Sequence, residues 1–524
     1  MNHIAHNEDN AAHIKIAGVT TENTISDITD FPQDIFLLVI SYLSPIESVL
    51  CRRVRRSWSA AFTSDDVSWN LMRWHFPRVR EMRNSVRELD NISWSHIFAN
   101  VARRYFYLRS AKPRIVESIS QWQGDGFRPV GMWDRWLEWR GNISNLNLRD
   151  ANWCLDDGLL IYRNEVYEYV AYDLETGSRF PVPFNNTGRV VRRLRLAHRI
   201  LVIEWMEEKT TPLPYTTMPA NRHFATAFDV QRLTASESIE AQSSWNMKRK
   251  FEWELHHDPL HFTDFFFSAH TETHYALYLW QEDGASAGQV VAERLTIWSF
   301  ESGSQWQAQP RIIKKFSKND LAFLCIRQSR RPMFQSIWLD EANVYVHEEA
   351  HSFLTGPRAP TPAPRNHYVR ATGVPLTGIG PRWEDDCCAD GDIHMSFCPR
   401  AGSAAHLDNN NRNCMYRFDK TWPGWAPCWR HEEFPYLTVS DVVDRQAGVR
   451  IVARQCFTME TLSSFVSPQM NTRTEADTEA EEEHHEVRFA DEMWRKLVWT
   501  CHIQGDERWV VGEDDHGDIT IIRF

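Results

Sequence analysis

The chain contains no apolar run approaching the roughly 18 residues that a helical membrane span requires, so that class is excluded on length. Its opening residues, MNHIAHNEDN, carry neither the basic nor the apolar region of a secretory signal, and the expectation is a soluble intracellular protein, cytoplasmic or nuclear. Cysteine is sparse: 10 residues in 524, with no C-x-x-C pair, do not make a disulfide scaffold. A reducing compartment keeps them as thiols and makes the sequons at Asn91, Asn142 and Asn185 chance matches. There is no G-x-x-x-x-G-K-[ST] and no G-x-G-x-x-G, so phosphate cradles have no sequence support. Positive charge is also short. The formal net charge is −12, and the tract Glu475 to Glu486 holds seven acids with no Lys or Arg, which argues against a nucleic-acid partner.

What the chain does have is length for two or three domains, with 42% hydrophobic and 24% charged residues, a globular balance. Phe31 to Trp58, FPQDIFLLVISYLSPIESVLCRRVRRSW, is the segment around which the rest is organised. Pro32 suits a first helical turn and Asp30 stands before it as a cap, so a helix is expected to open here. Ile35, Leu38, Val39, Tyr42 and Leu43 recur at helical spacing on one face, while Phe36, Leu37 and Ile40 crowd a second face that a surface helix would keep polar. Ser44-Pro45-Ile46-Glu47 has the form of a capping box with proline at the first helical position, opening a second helix with Val49 and Leu50. Val54, Trp58 and Phe62, four apart, begin a third. A unit of about 40 residues cannot bury both faces of its own first helix, which predicts a docking surface.

This pattern resembles the F-box: Phe31-Pro32 stands at the family's Leu-Pro start, Leu43-Ser44-Pro45 at its Leu-Ser-Pro turn, and Val54 to Trp58 at its closing Val-x-x-x-Trp. Phe31 departs from the usual leucine but keeps its apolar character. The resemblance covers about one tenth of the chain and implies docking on a Skp-type adaptor and, through it, on a cullin scaffold. The adaptor-binding residues it implies are Phe31, Pro32, Ile35, Leu38, Ile40, Leu43, Pro45, Val49, Leu50, Val54 and Trp58. Two blander readings use the same residues: a helical subdomain packed on the remainder of the chain, and a helix-turn-helix suggested by Arg52, Arg53, Arg55 and Arg56.

Residues 1–26 are polar and aperiodic and are expected to be a disordered arm; the F-box spans 27–75, and a helical connector spans 76–113. WSHIFANVARRYFYLRSAKPR, within that connector, looks like the segment joining the F-box to the C-terminal domain in many F-box proteins of filamentous fungi. From about residue 115 short β-rich runs take over: Val166 to Leu174, Val190 to Glu204, Ala225 to Val230, Tyr275 to Trp280, Arg294 to Phe300, Leu321 to Ile326, Lys496 to Cys501 and Ile519 to Phe524. Three of these regions contain an aromatic strand end before a turn, at Tyr172-Asp173, Phe228-Asp229 and Trp298-Ser299. The fold class expected is therefore α+β and multidomain, with an all-β region over 114–524. That region looks like a degenerate WD-repeat-type propeller, although it lacks the Gly-His to Trp-Asp signature; two packed β domains are the alternative. Lys209 to Arg222, Gly356 to Arg365 and the acidic stretch Pro468 to Glu486 are expected as mobile loops, the last of them set at 468–487, and most of the 23 tryptophans as anchors between sheets.

His347-Glu348-Glu349-Ala350-His351 matches H-E-x-x-H, which on a helix would set two imidazoles around zinc with a glutamate as base. The strand-like lead-in Val344-Tyr345-Val346 and the nearby Gly356-Pro357 speak for a chance match. Cys387, Cys388, Cys398, Cys414 and Cys428, with His394 and His431, cluster without a chelating pair, and His256-His257-Asp258 with His261 suggests a polar loop. No catalytic residue, metal or cofactor is expected. The function expected is a non-catalytic specificity subunit of a Skp-cullin-F-box ubiquitin ligase, holding a target protein through loops of the β region. An F-box scaffold acting outside ubiquitylation, or a zinc hydrolase using His347, Glu348 and His351, remain as alternatives.

Overall fold

The computed structural model describes residues 27–84, 93–122, 124–130, 150–209, 220–233, 245–256, 259–261, 264–282, 290–301, 309–324, 326, 334–353, 365–377, 383–386, 436–457, 466–474, 485–498 and 502–524. They fall into two compact units, Met1–Arg103 and Arg104–Phe524. The architecture is α+β, with helices concentrated in the first unit and antiparallel strands in the second. The arm expected at 1–26 lies outside the described residues.

The first unit opens with a short 3-10 turn, Ile28–Asp30, followed by α1 Gln33–Ile40, α2 Pro45–Cys51, α3 Arg56–Phe62, α4 Asp65–His75 and α5 Arg80–Asn84. α6, Trp94–Arg109, runs through the division between the units. Its core gathers Phe36, Ile40, Phe62, Val67, Leu71, Met72, Phe76, Phe98 and Val101, all buried. Aromatic edges lock it: Phe62 meets Phe36 at 5.5 Å and Phe76 meets Phe98 at 6.3 Å.

In the second unit β1 is Ile115–Ile119. A first sheet then follows in strict order, β2 Trp153–Asp156, β3 Leu159–Arg163, β4 Tyr169–Asp173 and β5 Arg179–Pro181. The second sheet is β6 Arg189–Ala197, β7 Ile200–Glu207, β9 His223–Arg232 and β10 Trp245–Glu254, with β8 Ala220–Asn221 paired separately to β11 Leu260–His261. The third is β12 Phe265–His270, β13 His274–Glu282, β14 Val290–Ser299 and β15 Arg311–Phe316. The fourth is β16 Phe334–Leu339, β17 Asn343–Phe353, β18 Arg365–Pro375 and β19 Trp383–Asp386. The fifth is β20 Tyr436–Asp444, β21 Val449–Phe457, β22 Val466–Thr474 and β23 His485–Arg488. In the sixth, β24 Ile503–Gly505, β25 Trp509–Glu513 and β26 Ile519–Arg523 are joined by β1 from the other end of the unit, Ile115 opposite Arg523 and Ile119 opposite Ile519.

Tight turns explain why the strands run as meanders. β2 and β3 are joined by Asp157-Gly158, and β6 and β7 by His198-Arg199; all four residues have positive φ, the requirement of the mirror-image turns that match strand twist. Between consecutive sheets lie apolar cores. One joins Trp153, Leu160 and Tyr162 to Trp509, Val511 and Ile521; the next joins Ile161 and Ala171 to Leu201, Trp205 and Phe228. Further cores join Trp253 to Tyr275 and Trp298, and Tyr278 and Leu295 to Val344 and Val346. A fully buried Leu, Ile or Phe contributes roughly 1.5–3 kcal/mol, so these layers dominate the unit's stability. Tryptophans 153, 205, 245, 253, 280, 298, 494 and 509 are buried, as expected for inter-sheet anchors, while Trp74 and Trp338 are exposed.

Polar ties cross the same layers. Trp245 Nε1 donates to Asp173 Oδ2 at 3.0 Å, and Tyr275 Oη donates to Glu204 Oε1 at 3.0 Å. Arg193 grips Asp150 with Nε and Nη2 at 2.9 and 2.7 Å and gives Nη1 to the Phe266 carbonyl at 3.0 Å. Within this unit, Tyr105 Oη and Arg104 Nη2, from the last turns of α6, donate to the buried Glu507 carboxylate at 2.6 and 3.2 Å.

Two segments expected as strands are helical in part, with Cys325 and 499–501 outside the described residues. Lys318–Phe323, here α7, is opened by Ser317, whose hydroxyl accepts from Asp320 N while Asp320 Oδ2 accepts from Ser317 N at 2.7 Å; this capping box overrides the β-prone Leu321 to Ile326 pattern. Glu492–Leu497, α8, takes Lys496 and Leu497 from the expected Lys496 to Cys501 strand, burying Met493, Trp494 and Leu497 on one side. The acidic loop set at 468–487 is narrower than expected. Pro468 to Thr474 belong to β22, and His485 to Val487 to β23, while residues 475–484 lie outside the described residues. Of the other two expected loops, Arg365 and Ala220–Asn221 are strand, and 354–364 and 210–219 lie outside the described residues.

Candidate functional site

The first three helices are set by local chemistry. Pro32, with φ −49°, occupies the N-cap of α1 rather than its first turn, and its carbonyl accepts from Phe36 N at 2.9 Å. Asp30, expected as the cap, lies in the preceding 3-10 turn. The second helix opens as the sequence predicts. Ser44 Oγ accepts from Glu47 N, Glu47 Oε2 accepts from Ser44 N at 2.8 Å, and Pro45 takes the first helical position. Hydrogen bonds from the Ser44 hydroxyl and backbone hold the Glu47 carboxyl below its usual range.

The two apolar faces of α1 separate cleanly. Phe36 and Ile40 point into the core, whereas Phe31, Ile35, Leu38, Val39 and Tyr42 remain exposed, Leu38 at 57% and Tyr42 at 85%. Ile40, counted among the adaptor-binding residues on sequence, is 0% exposed and is a core residue. The helical period puts it on the same side as Phe36, four residues earlier, rather than beside Leu38. Leu50 and Val54 are exposed, Pro32 likewise, and Leu43, Pro45, Val49 and Trp58 are half-buried. The exposed stripe thus has i, i+4, i+7, i+11 spacing from Phe31 through Ile35 and Leu38 to Tyr42.

A clamp that the sequence did not announce holds the lead-in to this stripe. Asp27 Oδ1 accepts from Trp58 Nε1 at 2.6 Å, and Oδ2 accepts from Ser57 Oγ at 2.9 Å and Thr29 Oγ1 at 3.0 Å; Arg55 forms an ion pair with the same carboxylate. Burial pushes that carboxyl up, but the three hydrogen bonds and the Arg55 charge outweigh it and hold the group well below its usual range. Trp58 also stacks on Phe62 at 5.8 Å, so it serves the fold of α3 as well as any surface. The four arginines divide. Arg52 donates to the Ser95 carbonyl at 3.0 Å and lies over the Phe98 ring, a structural role, while Arg53, Arg55 and Arg56 are exposed.

The hydrolase alternative loses its scaffold. His347 to His351 lie within β17, paired residue by residue with β18, so the helix required by H-E-x-x-H is not there. Cys387, Cys388, Cys398, Cys414, Cys428, His394 and His431 lie outside the described residues. His256 is buried and accepts from Arg294 Nη1 at 2.8 Å, His261 N donates to Asp264 Oδ2 at 2.8 Å, and His257 and Asp258 are outside the described residues.

No described helix is long and apolar enough to cross a membrane. Compared with protein-family models and with curated protein sequences, the chain matches none.

Proposed function

We propose that this chain is the target-recognition subunit of a Skp-cullin-F-box ubiquitin ligase, docking on a Skp-type adaptor through the first unit and holding a target protein with the second. The observation that carries the reading is the exposed stripe of Ile35 and Leu38 on a helix whose opposite face is already buried, extended by Phe31 before the helix and Tyr42 after it. An apolar helix face of this kind is the usual substrate of helix-in-groove association. The subunit would act by position: tethering raises the effective concentration of a target lysine at a cullin-bound conjugating enzyme, with no proton transfer by this chain. Co-expression of the full chain with a Skp-type adaptor tests it. A stoichiometric complex on size exclusion is expected, and an adaptor that never co-migrates overturns the assignment.

For the second unit we propose a six-bladed propeller. Six four-stranded antiparallel sheets follow one another along the chain, and the first strands of several are neighbours, β2 beside β6 and β24, β12 beside β16, and β20 beside β24. The pairing of β1 with β26 would close the ring by building one blade from both ends of the unit. An electron-microscopy map with six sheets about one axis is the expected result; two separate stacks of sheets would refute it.

A further inference from the structure

The tip of the β3–β4 hairpin, Asn164 to Glu168, is built against its own backbone preference. Tyr167 has φ +68°, a conformation an aromatic side chain rarely adopts, and its surroundings hold it there. Asn164 Oδ1 accepts from Val166 N and Glu168 N at 3.0 and 2.9 Å, and Asn186 donates to the Tyr167 carbonyl. Trp122 meets the Tyr167 ring edge-on with centroids 4.4 Å apart. The outcome is an apolar tip in solvent: Val166 is 68% exposed and Tyr167 49%. Asp125, Glu165 and Glu168 are exposed around it, and no ion pair to any of their carboxylates is formed among the described residues. Arg163, buried beneath, gives its donors to backbone carbonyls instead. It sits 5.6 Å from the Tyr167 ring, and its Nη1 and Nε donate to the backbone carbonyls of Asp125 and Tyr167, at 2.7 and 3.4 Å.

We infer that this tip, with Trp122 beside it, is a docking site for a lysine- or arginine-bearing segment of a target protein. Charge complementarity selects the occupant: the aliphatic stems of cationic side chains lie along Val166 and the two rings, while their charged heads reach Asp125, Glu165 and Glu168. An acidic segment would meet the like charge of three carboxylates. The inference rests on the second unit being the target-binding part of the chain, and names the class of target it takes.

The full chain is titrated, by fluorescence polarisation, against a labelled peptide of repeated Lys-Leu-Arg-Ala units, with repeated Glu-Leu-Asp-Ala and polyproline peptides as comparators. The basic peptide binds wild type in preference to both, and the paired change Glu165→Gln with Glu168→Gln weakens it about fivefold. Tyr167→Gly is the sharper variant, because glycine accepts the positive φ: the melting temperature holds or rises while affinity for the basic peptide falls by about tenfold. Equal binding of all three peptides, or unchanged affinity in both variants, overturns the site. Adaptor co-migration is followed in the same preparations. A chain that binds the basic peptide through Tyr167 but never the adaptor leaves this site standing and removes the ligase reading; one that binds the adaptor but not the peptide does the reverse.

Discussion

Replacing Leu38 and Tyr42 together by alanine probes the docking stripe without touching the core. Leu38 lies on the solvent side of α1 and Tyr42 in the turn that follows it, 57% and 85% exposed, so truncating them leaves the contacts of Phe36 and Ile40 intact. Fully burying a large apolar side chain is worth roughly 1.5–3 kcal/mol, and Leu38 has a little over half of its surface left to bury. Its share of adaptor binding is then about 1 kcal/mol. Tyr42, almost wholly free and of the residue type that dominates interface energetics, contributes about 2 kcal/mol. Together they predict a loss of about 3 kcal/mol, close to two orders of magnitude in Kd. Isothermal titration against a Skp-type adaptor reads the loss, and circular dichroism of the free protein checks that α1 persists. A folded double variant with unchanged Kd would refute the reasoning, because it would mean the exposed stripe contributes nothing to docking.

Ile40→Ala is the counterpart on the buried side: it should destabilise the first unit by about 2–4 kcal/mol in urea unfolding, and a loss under 1 kcal/mol would mean the residue is not packed as described. Burial depresses His223 to about 3 and His270 to about 4, the Arg192 charge adding to the first, against an ordinary 6.5. Because the unfolded chain takes up those protons and the folded chain does not, stability falls as pH drops through 6.5 towards 4, by roughly 2 kcal/mol per histidine at pH 5; a melting temperature that is flat between pH 7.5 and pH 5 would contradict it. Asp27 titrates with the opposite charge but the same outcome: its depressed carboxyl stabilises the first unit above its ordinary 3.8, a contribution lost as pH falls further, and Asp27→Asn should remove that acid dependence in a melting series. Gly158→Ala should destabilise the second unit in thermal melts, since φ is +80° and the new Cβ would fall 2.5 Å from the Trp509 ring; an unchanged melting temperature would show that the turn can relax.

The split between a helical first unit and a β second unit was legible because the two periods are so different. Asp157-Gly158 announces its turn in the letters, but His198-Arg199 does not, so the hairpin β6–β7 reads in sequence as one long run from Val190 to Glu204. α7 was hidden for a related reason. Its capping box uses Asp320 where glutamate or glutamine is the usual signal, and the unbroken apolar run after it, Leu321 to Ile326, passes for a buried strand. Sheet neighbours were not legible at all. The pairing of β1 with β26 joins positions some 400 residues apart, and no local pattern carries that information.

Along α1 the sequence found the surplus of apolar residues but not how the core would divide it. Eight apolar side chains from Ile35 to Leu43 fit two overlapping helical stripes, and the choice between Ile40 and Tyr42 as the outward residue depends on where Phe62 stands. Phe62 lies in α3, whose start is held by Asp27 through Trp58 and Ser57, so the rotation of α1 is decided by a carboxylate that precedes the recognisable pattern. The outward stripe is therefore a consequence of the clamp and the core together. A side chain is free to serve a partner here because Phe36, Ile40 and Phe62 have already satisfied the fold, and that separation of duties lets the face change sequence without unfolding the unit.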